Sequence, residues 1–222
     1  MNGTATDAPA PAIEFILAPL VKPFLDAYPD VALELISDAA KVDIVDSGFD
    51  AGVRFGEELA RDMVALPLGG SLRYIVIGAP DYLEAHGAPR EPGDLLHHLC
   101  IRQRFPGGTI FAWRFEKGGR SITIVPEGRL TVNDARQAVR TASEALGLAR
   151  VLEEYAEPLL GSGAVVRVLD DWCPRIPGWF LYYPGRRQVP SAMRAFLDFL
   201  VSRKALEKAC PRAAGASWQR AR

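Results

Sequence analysis

The chain of 222 residues has few of the side chains that build metal sites and thiol chemistry, with three cysteines and three histidines. Cys100, Cys173 and Cys210 are far apart, odd in number and contain no CxxC pair, so neither a disulfide framework nor a structural zinc site is indicated. His97 and His98 are adjacent, and neighbouring side chains diverge on helices and strands alike. We therefore expect no metal and no cofactor.

Motifs for phosphate, dinucleotide and nucleophile sites are missing as well. The chain has no GxxxxGK[ST] and no GxSxG. Ser162 lies between two glycines after a predicted helix and before a predicted strand, the reverse of a nucleophile elbow. No catalytic residue is assigned and no enzymatic activity is expected. A small hydrolase that uses Cys100 with His97 or His98 stays open as the less favoured alternative.

The chain also lacks an excess of charge and a long apolar run. Lys and Arg number 26 against 27 Asp and Glu, for a net charge of −1, and a chain that grips nucleic acid by itself needs a basic face. The most apolar N-terminal stretch, residues 15–21, contains Pro19 and is too short to cross a bilayer. Lys22 is the first basic residue, so the charged start of a secretory signal is missing. We expect a cytoplasmic protein without a membrane partner.

Hydrophobic periodicity alternates between the strand and the helix pattern, which predicts an α/β fold. Strands are predicted at 31–36, 51–55, 72–79, 100–104, 111–116, 121–125, 130–132, 148–152, 164–169 and 179–183. Helices are predicted at 13–28, 81–85, 92–98, 135–146, 154–160 and 191–204, with a helical turn at 41–46. Pro19 and Pro23 should bend or split the first helix. The glycines of Lys117-Gly118-Gly119-Arg120 predict a hairpin.

The order of these elements predicts a chain that leaves one lobe, builds a second and returns to the first. The predicted subdomains are residues 1–77 together with 178–210, and residues 78–177. Residues 211–222 are rich in Ala, Gly, Ser and Arg and are predicted to be a disordered tail.

Polar side chains follow several predicted strands, where ligands of open α/β sheets bind. Arg54 and Arg102 end two strands, and Asn133-Asp134 opens a helix whose N-terminal amides favour an anion. Arginines near such a terminus favour a carboxylate-bearing small molecule. The alternative is that these arginines form ordinary surface ion pairs with neighbouring carboxylates.

The order and spacing of many short segments resemble the C-terminal effector-binding domain of LysR-type transcriptional regulators, over residues 4 to 203. The segments are LAPL at 17–20, FLDAYPDV at 24–31, LEL at 33–35, VDIV at 42–45, GFDAGVRFG at 48–56, APDYL at 79–83, HG at 86–87, DLL at 94–96, CIR at 100–102, VND at 132–134, LDDW at 169–172, YPGRR at 183–187 and MRAFLDFL at 193–200. The family begins with a winged helix-turn-helix and a linker helix, which this sequence does not contain. We therefore expect this chain to sense an effector and DNA to be bound only through that N-terminal domain.

The resemblance implies two Rossmann-like subdomains joined by two crossover strands, as in type 2 periplasmic binding proteins, with a small effector in the cleft between them. The residues expected to bind it are Thr4, Ala5 and Asp7 in a segment read as a loop (4–8), with Arg54, Phe55, Arg102, Phe105, Asn133 and Asp134.

The resemblance also implies a homodimer, and a tetramer is an option for the full-length protein. Its interface is expected to include Phe15, Leu20, Ala32 and Ile36, on the first helix and the strand that follows. Packing of these side chains under loops of their own lobe is the alternative. A solute-binding protein of a transporter, with the same fold, is the second functional hypothesis, and the missing secretory signal argues against it.

Overall fold

A computed structural model describes residues 2–37, 47–55, 63–105, 107–185 and 189–202. The chain divides into two units, unit 1 formed by Met1–Ser71 with Pro177–Arg222 and unit 2 formed by Leu72–Ile176. The first boundary differs from the predicted one, which lay after residue 77. The strand Leu72–Gly78 pairs with three strands of unit 2 and with no other strand of the described residues, so the division falls before it. The helical turn expected at 41–46 and the tail at 211–222 lie outside the described residues.

Unit 1 is built on a mixed sheet with the strand order β2-β1-β3-β13-β4. Its strands are β1 (Asn2–Asp7), β2 (Val31–Ile36), β3 (Ala51–Phe55), β4 (Met63–Leu68) and β13 (Trp179–Pro184). β2 and β3 run parallel to β1, and β13 runs antiparallel to both β3 and β4. The carboxyl ends of β1, β2 and β3 therefore meet at one edge. The segment 4–8 is thus mostly strand rather than loop, because β1 pairs with β2 along its whole length.

The first helical segment of unit 1 is split, as its prolines predict. α1 (Ala10–Ala12) continues into a π-helix at Ile13–Leu17 and then into α2 (Ala18–Ala27). A proline ring clashes with the carbonyl four residues before it, and a wider turn ahead of Pro19 accommodates the ring. The core of this unit includes Phe24, whose ring packs edge-on against Phe196 and Phe199 of α6 (Ser191–Ser202).

Strand β4 is absent from the sequence-based prediction. It reads MVALPL and contains Pro67, which argues against a central strand. Among the described strands, β4 lies at the edge of the sheet and pairs with β13 alone, so the structure accommodates the proline. A proline has no backbone N–H to donate, and in an edge strand no donor is needed on the side that faces away from the sheet.

Unit 2 contains a sheet with the order β11-β5-β10-β6-β9, in which β12 also pairs with β5. Its strands are β5 (Leu72–Gly78), β6 (Cys100–Gln103), β9 (Thr131–Val132), β10 (Leu148–Leu152), β11 (Val166–Val168) and β12 (Arg175–Ile176). β6, β9 and β10 are parallel, and their carboxyl ends share one edge. The helices are α3 (Pro80–His86), α4 (Ala135–Ser143), α5 (Glu153–Gly161) and two short 3₁₀ segments, Pro92–His97 and Asp170–Trp172.

The predicted hairpin is confirmed as β7 (Trp113–Lys117) and β8 (Arg120–Ile124). Lys117 pairs with Arg120, so Gly118 and Gly119 form a two-residue turn. Both glycines have positive φ, 57° and 80°, which a type I′ turn requires.

Gly147 directly follows the predicted helix at 135–146, where a glycine is typical of a helix stop, but in the structure it has another role. α4 ends at Ser143, before Ala145 takes a positive φ of 58°. A Cβ atom on Gly147 would lie 2.3 Å from the Leu99 carbonyl oxygen. The glycine therefore allows the chain to pass close to Leu99 as it enters β10.

Among the helices of the described residues, none is long and apolar enough to cross a bilayer.

Candidate functional site

The carboxyl ends of the parallel strands of unit 1 carry a buried ion pair. Asp7 ends β1 and has no exposed surface, and it accepts a hydrogen bond from Arg54 near the end of β3. Arg54 also donates to the carbonyl of Val53, at 2.8 Å. Two of the predicted site residues are therefore together, but they bind each other.

The remaining predicted residues of β1 and β3 are occupied by contacts within unit 1. Thr4 is buried, and its hydroxyl donates to the Met193 sulfur at 3.3 Å, which makes it a core residue. The Ala5 amide donates to the Asp50 carboxylate at 3.0 Å. Phe55 stacks on Trp179, with ring centroids 3.9 Å apart.

In unit 2, Arg102 projects from β6 near the edge where the parallel strands end. It is half-buried, and its Nε donates to the Thr131 hydroxyl at 3.0 Å. In the part of the chain that the structure describes, no carboxylate forms an ion pair with it. The ordinary surface ion pair that was the alternative for this arginine is thus not present among those residues.

Phe105 follows β6 and is half exposed, at 50%. Its ring packs edge-on against Phe111, with centroids 5.6 Å apart. Phe111 in turn lies 5.3 Å from Tyr74 on β5. The three rings form a row that begins at an exposed side chain.

Asn133 and Asp134 connect β9 to α4. Asp134 is the N-cap of this helix, and its carboxylate accepts hydrogen bonds from the amides of Arg136 and Gln137, at 2.7 and 3.3 Å. These amides are the donors that a helix N-terminus would offer to an anion, and Asp134 occupies them. Asn133 is exposed.

Arg150 is a residue of this region that the sequence reasoning missed. It occupies the middle of β10, whose five residues are all buried, and is itself only 7% exposed. Leu148 and Ala149 are in register with Cys100 and Ile101 of β6, which places Arg150 and Arg102 on the same face of neighbouring strands. Burial lowers the pKa of Arg150, and the neighbouring Cys173 and Tyr74 act in the opposite direction. A single arginine inside the apolar run LARVL was the available signal.

The thiol chemistry considered for Cys100 is opposed by its surroundings. Burial raises the pKa of the Cys100 thiol to about 12, and the thiolate is the nucleophilic form. His98 is engaged elsewhere, because the Tyr82 hydroxyl accepts from the Leu99 amide at 2.9 Å and lies 3.2 Å from Nδ1 of His98. Within the described ranges, no three His, Cys, Asp or Glu side chains form a set that could hold a metal ion.

The residues expected at a dimer interface lie in unit 1 on the first helical segment and on β2, an edge strand of the described sheet. Ala32 is exposed, and Ile36 is half-buried on the same face of β2. Phe15 and Leu20 are half-buried on the π-helix and α2. This partial exposure is compatible both with a face that a second copy of the chain covers and with packing inside the same unit.

The LysR substrate binding domain model matches residues 7–205 of the chain. PgrR, an HTH-type transcriptional regulator of Escherichia coli, is 35% identical over 190 residues, which are 85% of this chain and 64% of that protein. A Pseudomonas aeruginosa protein whose name assigns it to transcriptional regulation is 40% identical over 186 residues, 83% of this chain and 61% of its own length. The chain thus spans about three-fifths of the length of these relatives.

Solved structures of regulatory domains have the same fold. That of AphB from Vibrio vulnificus is 23% identical with a TM-score of 0.77, covering 91% of this chain and 100% of that one. The regulatory domain of CrgA from Neisseria meningitidis is 23% identical with a TM-score of 0.72, covering 90% and 98%. The predicted α/β architecture is confirmed by these likenesses. On its sequence match and its fold, the chain belongs to the LysR substrate-binding domain family.

Proposed function

We propose that this chain is the effector-sensing part of a LysR-type transcriptional regulator and that it binds a small carboxylate-bearing metabolite. Units 1 and 2 would be its two regulatory subdomains. In the whole protein, effector binding would control transcription through DNA contacts made by an N-terminal domain. A cytoplasmic homodimer, or a tetramer at full length, is part of the same proposal.

The observation that carries the carboxylate assignment is the environment of Arg102. Arg102 lies near the edge where the parallel strands β6, β9 and β10 end, and a neutral hydroxyl is its side-chain partner. Ligands of open α/β sheets bind at such an edge. A guanidinium binds a carboxylate through two parallel hydrogen bonds, which fixes the orientation of the ligand. Arg54 supports the proposal less strongly, because Asp7 already balances its charge.

Two other functions find less support. A hydrolase would need a reactive thiol, and Cys100 is buried with a raised pKa. A transporter's solute-binding protein shares the fold, but the curated relatives named above are transcriptional regulators by name.

The proposal is tested by calorimetric titration of the chain with a panel of mono- and dicarboxylates. Arg102→Ala should make the binding free energy of the best ligand less favourable by about 1.5–3 kcal/mol, the scale of one hydrogen bond to a charged group. Arg129→Ala, which removes an exposed arginine of the same unit, is the matched control and should bind normally. Equal affinity of Arg102→Ala and the unmodified chain for the best carboxylate would refute the assignment.

A further inference from the structure

The described residues include three buried charged side chains, which differ in whether an opposite charge lies beside them. Asp7 is paired with Arg54, and Glu153 is held by Arg167 at 2.7 Å and by Arg175 at 3.8 Å. Arg150 has no carboxylate within ion-pair distance among the described residues. Burying a charge without an opposite charge is unfavourable, so this exception calls for a physical reason.

The groups around Arg150 compensate its charge only in part. One terminal nitrogen donates to the Arg114 carbonyl at 2.5 Å. The guanidinium carbon lies 5.0 Å from the ring centroid of Tyr74, 5.2 Å from that of Phe115 and 5.8 Å from that of Phe111. Cation–π contacts of this kind stabilise the charged guanidinium but supply no opposite charge. The Nε–H is buried and has no acceptor.

We propose that Arg150 anchors the carboxylate of an aromatic monocarboxylate in unit 2, an inference that rests on the proposed function and names its ligand class. A carboxylate oxygen of the ligand accepts a hydrogen bond from the Arg150 Nε–H, which lacks an acceptor in the protein. The carboxylate also supplies the missing negative charge. Arg102, on the same face of the neighbouring strand, adds to the positive potential at that oxygen.

The aromatic character of the ligand follows from the rings that surround the guanidinium. Phe105, Phe111 and Tyr74 form the row described above, and Phe105 is half exposed at its outer end. A planar ring stacks against such side chains in offset or edge-on geometry. A second carboxylate on the ligand would lie among rings of which Tyr74 alone carries a hydrogen-bond donor, and that desolvation is unfavourable. The same surroundings therefore select against dicarboxylates.

The test uses benzoate as the probe and succinate as the dicarboxylate comparison, with affinities from calorimetry. Arg150→Met keeps the length of the apolar stem and removes the charge. It should lower the affinity for benzoate by about 10- to 100-fold. Arg140→Met is the matched control, because Arg140 is 74% exposed in the same unit, and its affinity should be unchanged. Burying a charge that no opposite charge balances is unfavourable, so Arg150→Met, which removes that charge, should unfold at the same or a higher urea concentration.

A second measurement does not depend on the stability of that variant. The ¹⁵N resonance of the Arg150 Nε, assigned by its loss in Arg150→Lys, should shift on addition of benzoate to the unmodified chain. An Arg150 resonance that does not move at saturating benzoate overturns the proposal, as does a variant that binds benzoate normally. If succinate binds in an Arg102-dependent way and benzoate does not bind at all, the aromatic assignment is wrong while the proposed function stands. If neither carboxylate binds, the inference fails, and the panel above decides the proposed function separately.

Discussion

The ion pair between Asp7 and Arg54 should make a large electrostatic contribution to the stability of unit 1. Asp7 has no exposed side-chain surface, and the Arg54 side chain is 19% exposed. Replacing Arg54 by Met removes the guanidinium and leaves a buried carboxylate without it. Breaking a buried pair by removing one partner costs about 3–5 kcal/mol. Because water can reach the Arg54 position in part, we expect a value near the lower end, about 3 kcal/mol.

A surface pair provides the matched comparison. Arg140 and Glu144 form an ion pair with side chains that are 74% and 61% exposed. Exposed pairs contribute at most about 1 kcal/mol. Arg140→Met should therefore change the free energy of unfolding by less than a third of the effect of Arg54→Met.

The assay is urea denaturation monitored by amide hydrogen exchange. The amides of β1 and β3 report the free energy of unfolding of unit 1. A global signal alone would mix the two units, since chains of several domains need not unfold in one step. In a double-mutant cycle with Asp7→Asn, the double variant should be more stable than the sum of the two single effects predicts, by about 0.5–3 kcal/mol. A loss below about 1 kcal/mol for Arg54→Met, or strict additivity in the cycle, would refute the reasoning.

Three further predictions concern pH, helix capping and assembly. Burial, with the nearby His86, lowers the pKa of His98 below its usual value. Because the unfolded chain then binds this proton more readily, the contribution of His98 to stability should be fully present above about pH 6.5 and should decrease as the pH falls below it. Urea midpoints at pH 7.5 and 5.5 check this, and His98→Gln should reduce the loss whereas exposed His97→Gln should not. Asp134→Ala removes the α4 cap and should cost about 1 kcal/mol in a urea titration. Phe15→Asp places two charges in a two-fold interface and should convert a dimer to a monomer in sedimentation; an unmodified chain that is already monomeric at tens of micromolar would contradict the interface.

Local patterns were sufficient where one short segment holds all the information. The alternation in Val31–Ile36 predicts β2 with its bounds, and the glycines of residues 117–120 predict the hairpin. Its strands were predicted at 111–116 and 121–125, and they lie at Trp113–Lys117 and Arg120–Ile124. Asn133-Asp134 was predicted to open a helix, and Asp134 is the N-cap of α4. These features depend on backbone conformation and on neighbours a few residues away, which the sequence states directly.

The candidate site could be predicted only in part, because pairing partners come from distant segments. Arg54 and Arg102 have the same appearance in the sequence, at the ends of two predicted strands. Folding brings Asp7, 47 residues away, onto Arg54 and gives Arg102 the neutral Thr131 hydroxyl. The predicted carboxylate site is thus better supported at one arginine than at the other, for a reason that no local pattern contains.

The sequence by itself determined the α/β class, the family and most of the strands, since hydrophobic periodicity and ordered motifs are local properties of the chain. The tertiary structure decided where the units divide, that a strand containing Pro67 is stable at a sheet edge, and that Arg150 is buried without a carboxylate among the described residues. Each of these depends on which strands become neighbours. Strand order is set by the packing of whole layers and by contacts between residues far apart in the chain, so it is fixed only when the chain folds.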